Sequence, residues 1–182
     1  MGTVVLNGAT SGSTTIQPTD AVTATLTLPS TTGTLLATTS TFAGTGPAFS
    51  AYLSGSNQSI SAGTFTKVTL NAKEFDTANA FDSTTNYRFQ PLVAGYYQVS
   101  GATTNNQTTG GSLSSIYKNG SEFKRCSFVA NTASGFTAPV SALIYLNGST
   151  DYIELWTYMT NAGNLTASAT FNYFQASMVR AA

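Results

Sequence analysis

The chain has 182 residues, of which only 8% are charged, with seven basic and seven acidic side chains and no histidine. A typical soluble protein carries roughly 25% charged residues, so Thr, Ser, Asn and Gly must keep this surface in water. Zero net charge excludes a nucleic-acid footprint, the missing histidine excludes Ser-His-Asp and Cys-His nucleophiles, and the single Cys126 excludes an internal disulfide or a thiolate metal cluster.

No apolar run approaches the ~18 residues needed to cross a bilayer. The first residues, MGTVVLNGATSG, lack the basic n-region and apolar core of a secretory leader. No membrane insertion, no cofactor and assembly in the cytoplasm of origin are therefore expected.

Residues 1–45 form a first region. Fifteen of them are threonine, and Asp20 is their only charge. Turn signals fall at Asn7-Gly8, Ser11-Gly12, Gln17-Pro18 and residues 30–33. Between them AVTATLTL (21–28) alternates, with Val22, Ala24, Leu26 and Leu28 on one face and Thr23, Thr25 and Thr27 on the other, the period of a half-buried strand. Short hairpins are marginal alone in water. Either this arm buries Val22, Leu26, Leu28 and Leu35 against a partner, or it is a Thr-rich linker.

The punctuation FAGTGPAF (42–49) sets a boundary, giving a second region at 46–182. Strand-like runs follow at 48–53, 65–70, 87–90, 96–104, 112–118, 122–130, 140–146, 151–159 and 169–179, separated by turns such as Asn119-Gly120, Asn147-Gly148 and Ala162-Gly163-Asn164. A weak helical pattern covers Asn71–Phe81. The spacing predicts an all-β, antiparallel jelly-roll sandwich of about ten strands.

YRFQPLVAGYYQVSG (87–101) packs four aromatic residues around one predicted turn. Tyr87 and Phe89 are expected on one strand face, Pro91 ends that strand, and Gly95 turns the chain. Tyr96 and Tyr97 then point to opposite faces. DYIELWTYM repeats the problem: Tyr152, Glu154, Trp156 and Tyr158 oppose Ile153, Leu155, Thr157 and Met159. In FNYFQ, Phe171 and Tyr173 oppose Phe174. A two-layer sandwich buries one face of each strand, so the second face calls for a partner, most economically another copy. Tyr97, Trp156, Tyr158, Phe171 and Tyr173 are the candidates for core or interface.

The segments 67–101, SIYKNG (115–120), 142–156 and ATFNYFQASMV resemble the globular head of complement component q, the jelly roll shared with tumour necrosis factor. Lys67, Val68, Asn71, Phe75, Asp76, Phe89, Pro91, Gly95, Tyr97, Lys118, Asn119, Gly120 and Phe171 carry the likeness, over roughly residues 47–182. Asn147–Asp151 is longer than the family's usual Gly-Asp turn. The resemblance implies a homotrimer with its axis lined by strands of one sheet, loops that bind ligands, and no enzyme activity. The arm looks like that of bacteriophage fibre and virion-surface proteins, through Ser11, Gly12, Thr14, Thr15, Thr27, Leu28, Pro29, Thr32, Gly33, Thr34 and Leu35.

Glu74, Asp76 and Asp82 lie close in sequence, as paired carboxylates of a glycosidase would. Asp76 and Asp82 each stand between Phe and Thr or Ser, which reads as Asx-turn chemistry instead. The expected protein is thus a non-enzymatic virion-surface component, a capsid decoration or head fibre held through residues 1–45 to other virion proteins. The alternative is a tail-fibre tip that binds a host receptor or glycan. The third is a polysaccharide depolymerase.

Overall fold

The computed structural model of the chain describes residues 46–130 and 136–182, and ahead of them two strands, β1 (Val4–Asn7) and β2 (Ser13–Ile16). The chain divides into two compact units, Met1–Thr38 and Thr39–Ala182. In the first, β1 and β2 pair antiparallel, with Val4 opposite Ile16 and Asn7 opposite Ser13. The expected strand at 21–28, with Val22, Leu26 and Leu28, and Leu35 beyond it, lie outside the described residues.

The second unit continues with β3 (Ala48–Leu53), β4 (Gln58–Ile60), β5 (Thr66–Lys67), β6 (Ala72–Asp76), β7 (Phe81–Asp82), β8 (Arg88–Phe89) and β9 (Ala94–Asn105). Then come β10 (Gly111–Lys118), β11 (Ser121–Arg125), β12 (Val129–Ala130), β13 (Phe136–Asn147), β14 (Ile153–Met159), β15 (Gly163–Leu165) and β16 (Ser168–Ala181). All the pairings are antiparallel. One layer runs β6-β3-β16-β9-β13, the other β11-β10-β14-β8-β7. Those ten strands are the expected jelly-roll sandwich. Four short ones extend it: β4 and β15 on the first layer, β5 and β12 on the second.

The core has two chemically distinct ends. At one, Phe49 stacks on Phe89 at 4.4 Å and on Phe81 at 4.8 Å, and meets Phe174 edge-on at 5.5 Å. Tyr97 packs edge-on against Phe89 and donates its hydroxyl to the Val93 carbonyl at 2.7 Å. At the other end the layers meet through hydroxyls. Thr103 bonds Ser114 at 2.8 Å and Thr157 at 3.2 Å, and Asn105 donates to Ser112 at 2.8 Å. A buried hydroxyl is tolerated only when partnered, and these are.

Several local expectations are corrected. Asn71–Phe81 is not helical: after β6, the Asp76 carboxylate accepts the Ala80 and Phe81 N–H groups and closes a turn. Tyr87 takes a left-handed backbone (φ 50°), so it leaves the strand and shares no face with Phe89. Gly95 does not turn the chain. It lies within β9, where a Cβ would stand 2.5 Å from the Arg180 carbonyl of β16, so close strand approach requires glycine there. Ala162-Gly163-Asn164 is no simple turn, because Gly163 and Asn164 pair with β4 in β15. The run at 122–130 splits into β11 and β12. Asn119 (φ 52°) and Gly120 (φ 78°) form the expected two-residue hairpin turn, with both residues left-handed.

Candidate oligomerisation surface

Alternation along β9, β13 and β16 sends one set of side chains into the core and the other outward from the layer. Tyr97, Val99, Ile144, Leu146, Phe174 and Met178 go inward and are buried. Tyr96, Leu143, Tyr145 and Val179 go outward, with Leu143 57% exposed. Register gathers them: Tyr145 lies opposite Tyr96, and Tyr96 opposite Arg180 beside a bulge in β16. The Tyr96 and Tyr145 rings sit 5.4 Å apart. With the last residues of the chain they line an open depression of about 690 Å³.

Beyond this patch the same face carries a belt of small polar groups. Gln98 donates to Ser141 at 2.8 Å, and Gln175 donates to Ser100 at 3.1 Å. Past the belt stand Phe171, 44% exposed, and Tyr173, half-buried. On the outward positions of these three strands no charge appears before Arg180. Lys118 supports the patch from the side, donating to the Tyr145 carbonyl at 2.7 Å and pairing with Asp151 at 2.9 Å.

The five aromatics expected to share core and interface fall in three places. Tyr97 is fully buried, and burial pushes its hydroxyl pKa up to about 12. Phe171 and Tyr173 lie on the outward face just described. Trp156 and Tyr158 are on the opposite layer, facing away from the core, and so do not join them. There Trp156 stacks on Tyr117 at 4.4 Å and Tyr158 packs on Phe65 at 5.2 Å. Trp156 Nε1 donates to Glu154 at 2.9 Å, and Lys67 Nζ bonds the other Glu154 oxygen at 2.7 Å. Sequence reading missed Tyr96, Leu143, Tyr145 and Val179 as one group. The signal present was SALIYL, apolar at both alternating sets of positions.

The three carboxylates once paired on sequence proximity have separate tasks. Glu74 accepts from the Ser50 hydroxyl at 2.8 Å. Burial pushes Asp76 up, but the Phe81 and Ala80 N–H groups and Lys73 outweigh it and hold it below the usual carboxylate range. Asp82 accepts the Thr85, Thr84 and Asn86 N–H groups, which depress its pKa strongly. Oxygens so occupied hold loops together. Cys126 is half-buried and its Sγ accepts the Ser114 N–H at 3.2 Å.

No protein-family model matches the chain, and no curated protein does. Solved structures do. Murine APRIL superposes with a TM-score of 0.58 at 11% identity, over 73% of this chain and 98% of that one. The Eiger tumour necrosis factor of S. frugiperda gives 0.59 at 9%, over 75% and 95%. The globular domain of zebrafish complement 1qA gives 0.52 at 15%, over 75% and 99%. The second unit therefore has the jelly-roll fold of the tumour necrosis factor and complement-q globular domains.

Proposed function

We propose that the protein is a homotrimeric bacteriophage virion-surface protein, a capsid decoration or head fibre. Residues 1–45 attach it to other virion proteins, and the jelly roll projects as a knob. The observation that carries the trimer is the outward face of β9, β13 and β16, on which Arg180 is the one charge among the described residues. Its exposed Tyr96, Leu143, Tyr145 and Val179 are clustered, and interface centres are depleted of charge and enriched in tyrosine. The attachment role rests on the arm's likeness to virion-surface sequences. A non-enzymatic role is supported by the occupied oxygens of Asp76 and Asp82.

Light scattering on the full-length protein tests the assembly: a mass about three times 18.9 kDa is expected. A monomer at micromolar concentration overturns the trimer. Immunogold labelling of intact particles then tests the location, and label restricted to lysate rather than particles overturns it.

A further inference from the structure

The end of the sandwich away from residue 46 carries a second, chemically different surface. Ala48 lies opposite Ser177 and Gly95 opposite Ala181, so the chain enters the knob where β9 begins. Asn105 marks the other end of β9. There the loops at 106–110 and 160–164 enclose an open cleft of about 400 Å³. Its lining is Asn, Gln, Thr, Ala and Gly, with no charged and no large apolar side chain.

The amides of this cleft are held by the protein at one atom. Asn106 Oδ1 accepts the Asn164 N–H at 2.9 Å, and Asn164 Oδ1 accepts the Ser59 hydroxyl at 2.9 Å. Asn161 Nδ2 donates to the Thr109 carbonyl at 3.2 Å. Their remaining amide atoms, the Nδ2 groups of Asn106 and Asn164 and Oδ1 of Asn161, have no partner among the described residues, nor does the Thr108 hydroxyl. Gln107 ties the two loops together: it is 7% exposed, and its Nε2 donates to the Asn161 and Ala162 carbonyls. Its Oε1 is buried with no partner among the described residues. A buried acceptor left without a donor destabilises the free protein.

We propose that this cleft binds a neutral saccharide. A sugar hydroxyl both donates and accepts, as does this mixed set of amide and hydroxyl groups. Tethering each amide at one atom fixes the other before binding, which lowers the ordering cost. The absent charge disfavours anionic glycans, and the absent apolar wall disfavours lipids and drug-like aromatics. The cleft is built within one protomer, so the inference does not rest on the trimer or on the virion location.

The test applies full-length protein to an array of glucose, galactose, mannose and N-acetylhexosamine oligomers, with sialylated and sulfated oligomers beside them. The strongest neutral binder is then titrated against wild type, Thr108→Trp and Gln107→Ala. Thr108 makes no side-chain hydrogen bond among the described residues, so Thr108→Trp fills the cleft without cutting one of the bonds that shape it. It should weaken binding at least tenfold with Tm unchanged, and Gln107→Ala should weaken binding while lowering Tm. Absence of any neutral binder, preference for the acidic oligomers, or wild-type affinity in Thr108→Trp would each overturn the proposal.

Discussion

The two outward faces of the sandwich are both aromatic, yet they differ in what surrounds the rings. On the β5-β14-β10-β11 side, Trp156, Tyr117, Tyr158 and Phe65 pack on one another, and Glu154 takes both the indole N–H and Lys67. The indole N–H and the Lys67 ammonium on that side both have partners within the protomer. On the β9-β13-β16 side, Tyr96 and Tyr145 touch each other while Leu143 and Val179 stand in water. Aromatic content alone therefore does not mark an interface. The mark is apolar surface that the chain's own side chains leave uncovered.

The largest expected effect separates the faces outright. Leu143→Asp with Tyr145→Asp should place charge in the candidate interface and reduce the light-scattering mass to 18.9 kDa. Trp156→Asp, on the opposite layer, should leave the assembly mass unchanged. If the second variant dissociates the assembly and the first does not, the assignment of the two faces is reversed.

Stability gives the next scale. Phe49 is fully buried against three rings, so Phe49→Ala should cost about 3–5 kcal/mol in denaturant unfolding. Trp156 is half-buried, so Trp156→Ala should cost less, about 1–2 kcal/mol, part of it from the Glu154 acceptor left without its indole donor. A Trp156→Ala cost equal to that of Phe49→Ala would mean that the outer aromatic cluster is a second core rather than a surface layer.

The fold was readable wherever alternation and turn chemistry agreed. AFSAYL gave β3 residue for residue, Asn119-Gly120 gave its hairpin, and Tyr96 and Tyr97 divided between surface and core as adjacent strand residues must. Failures came where tertiary contact overrode local preference. Gly95 reads as a turn but is glycine because β16 passes against it. The helical pattern at 71–81 yields to Asp76, whose carboxylate captures two backbone N–H groups. For the interface, alternation showed that strands were apolar on both sides but not which outer face would be covered. Trp156 illustrates the limit: its cover comes from Tyr117, distant in sequence, and from a lysine on β5 paired opposite it.

The smallest effect is electrostatic, and it too should distinguish the faces. Burial pushes Asp151 up, but Asn119, Lys118 and the Asn147 N–H outweigh it and hold it below the ordinary carboxylate value. A carboxylate with a depressed folded pKa adds stability that is complete above its unfolded pKa, about 3.9, and is lost as pH falls through the folded value. Asp76 and Asp82 share that sign. Tm should therefore be flat from neutral pH to about 5 and fall below about 4. Asp151→Asn should lower Tm at neutral pH and reduce the acid drop, because the lost pairing no longer titrates. Asp151 also holds Lys118, which bonds the Tyr145 carbonyl, so acid should loosen the β9-β13-β16 face as well. A trimer that dissociates before the knob unfolds as pH is lowered supports that coupling. Dissociation and unfolding at one pH, unchanged in Asp151→Asn, would show that the Lys118–Asp151 pair does not reach the interface.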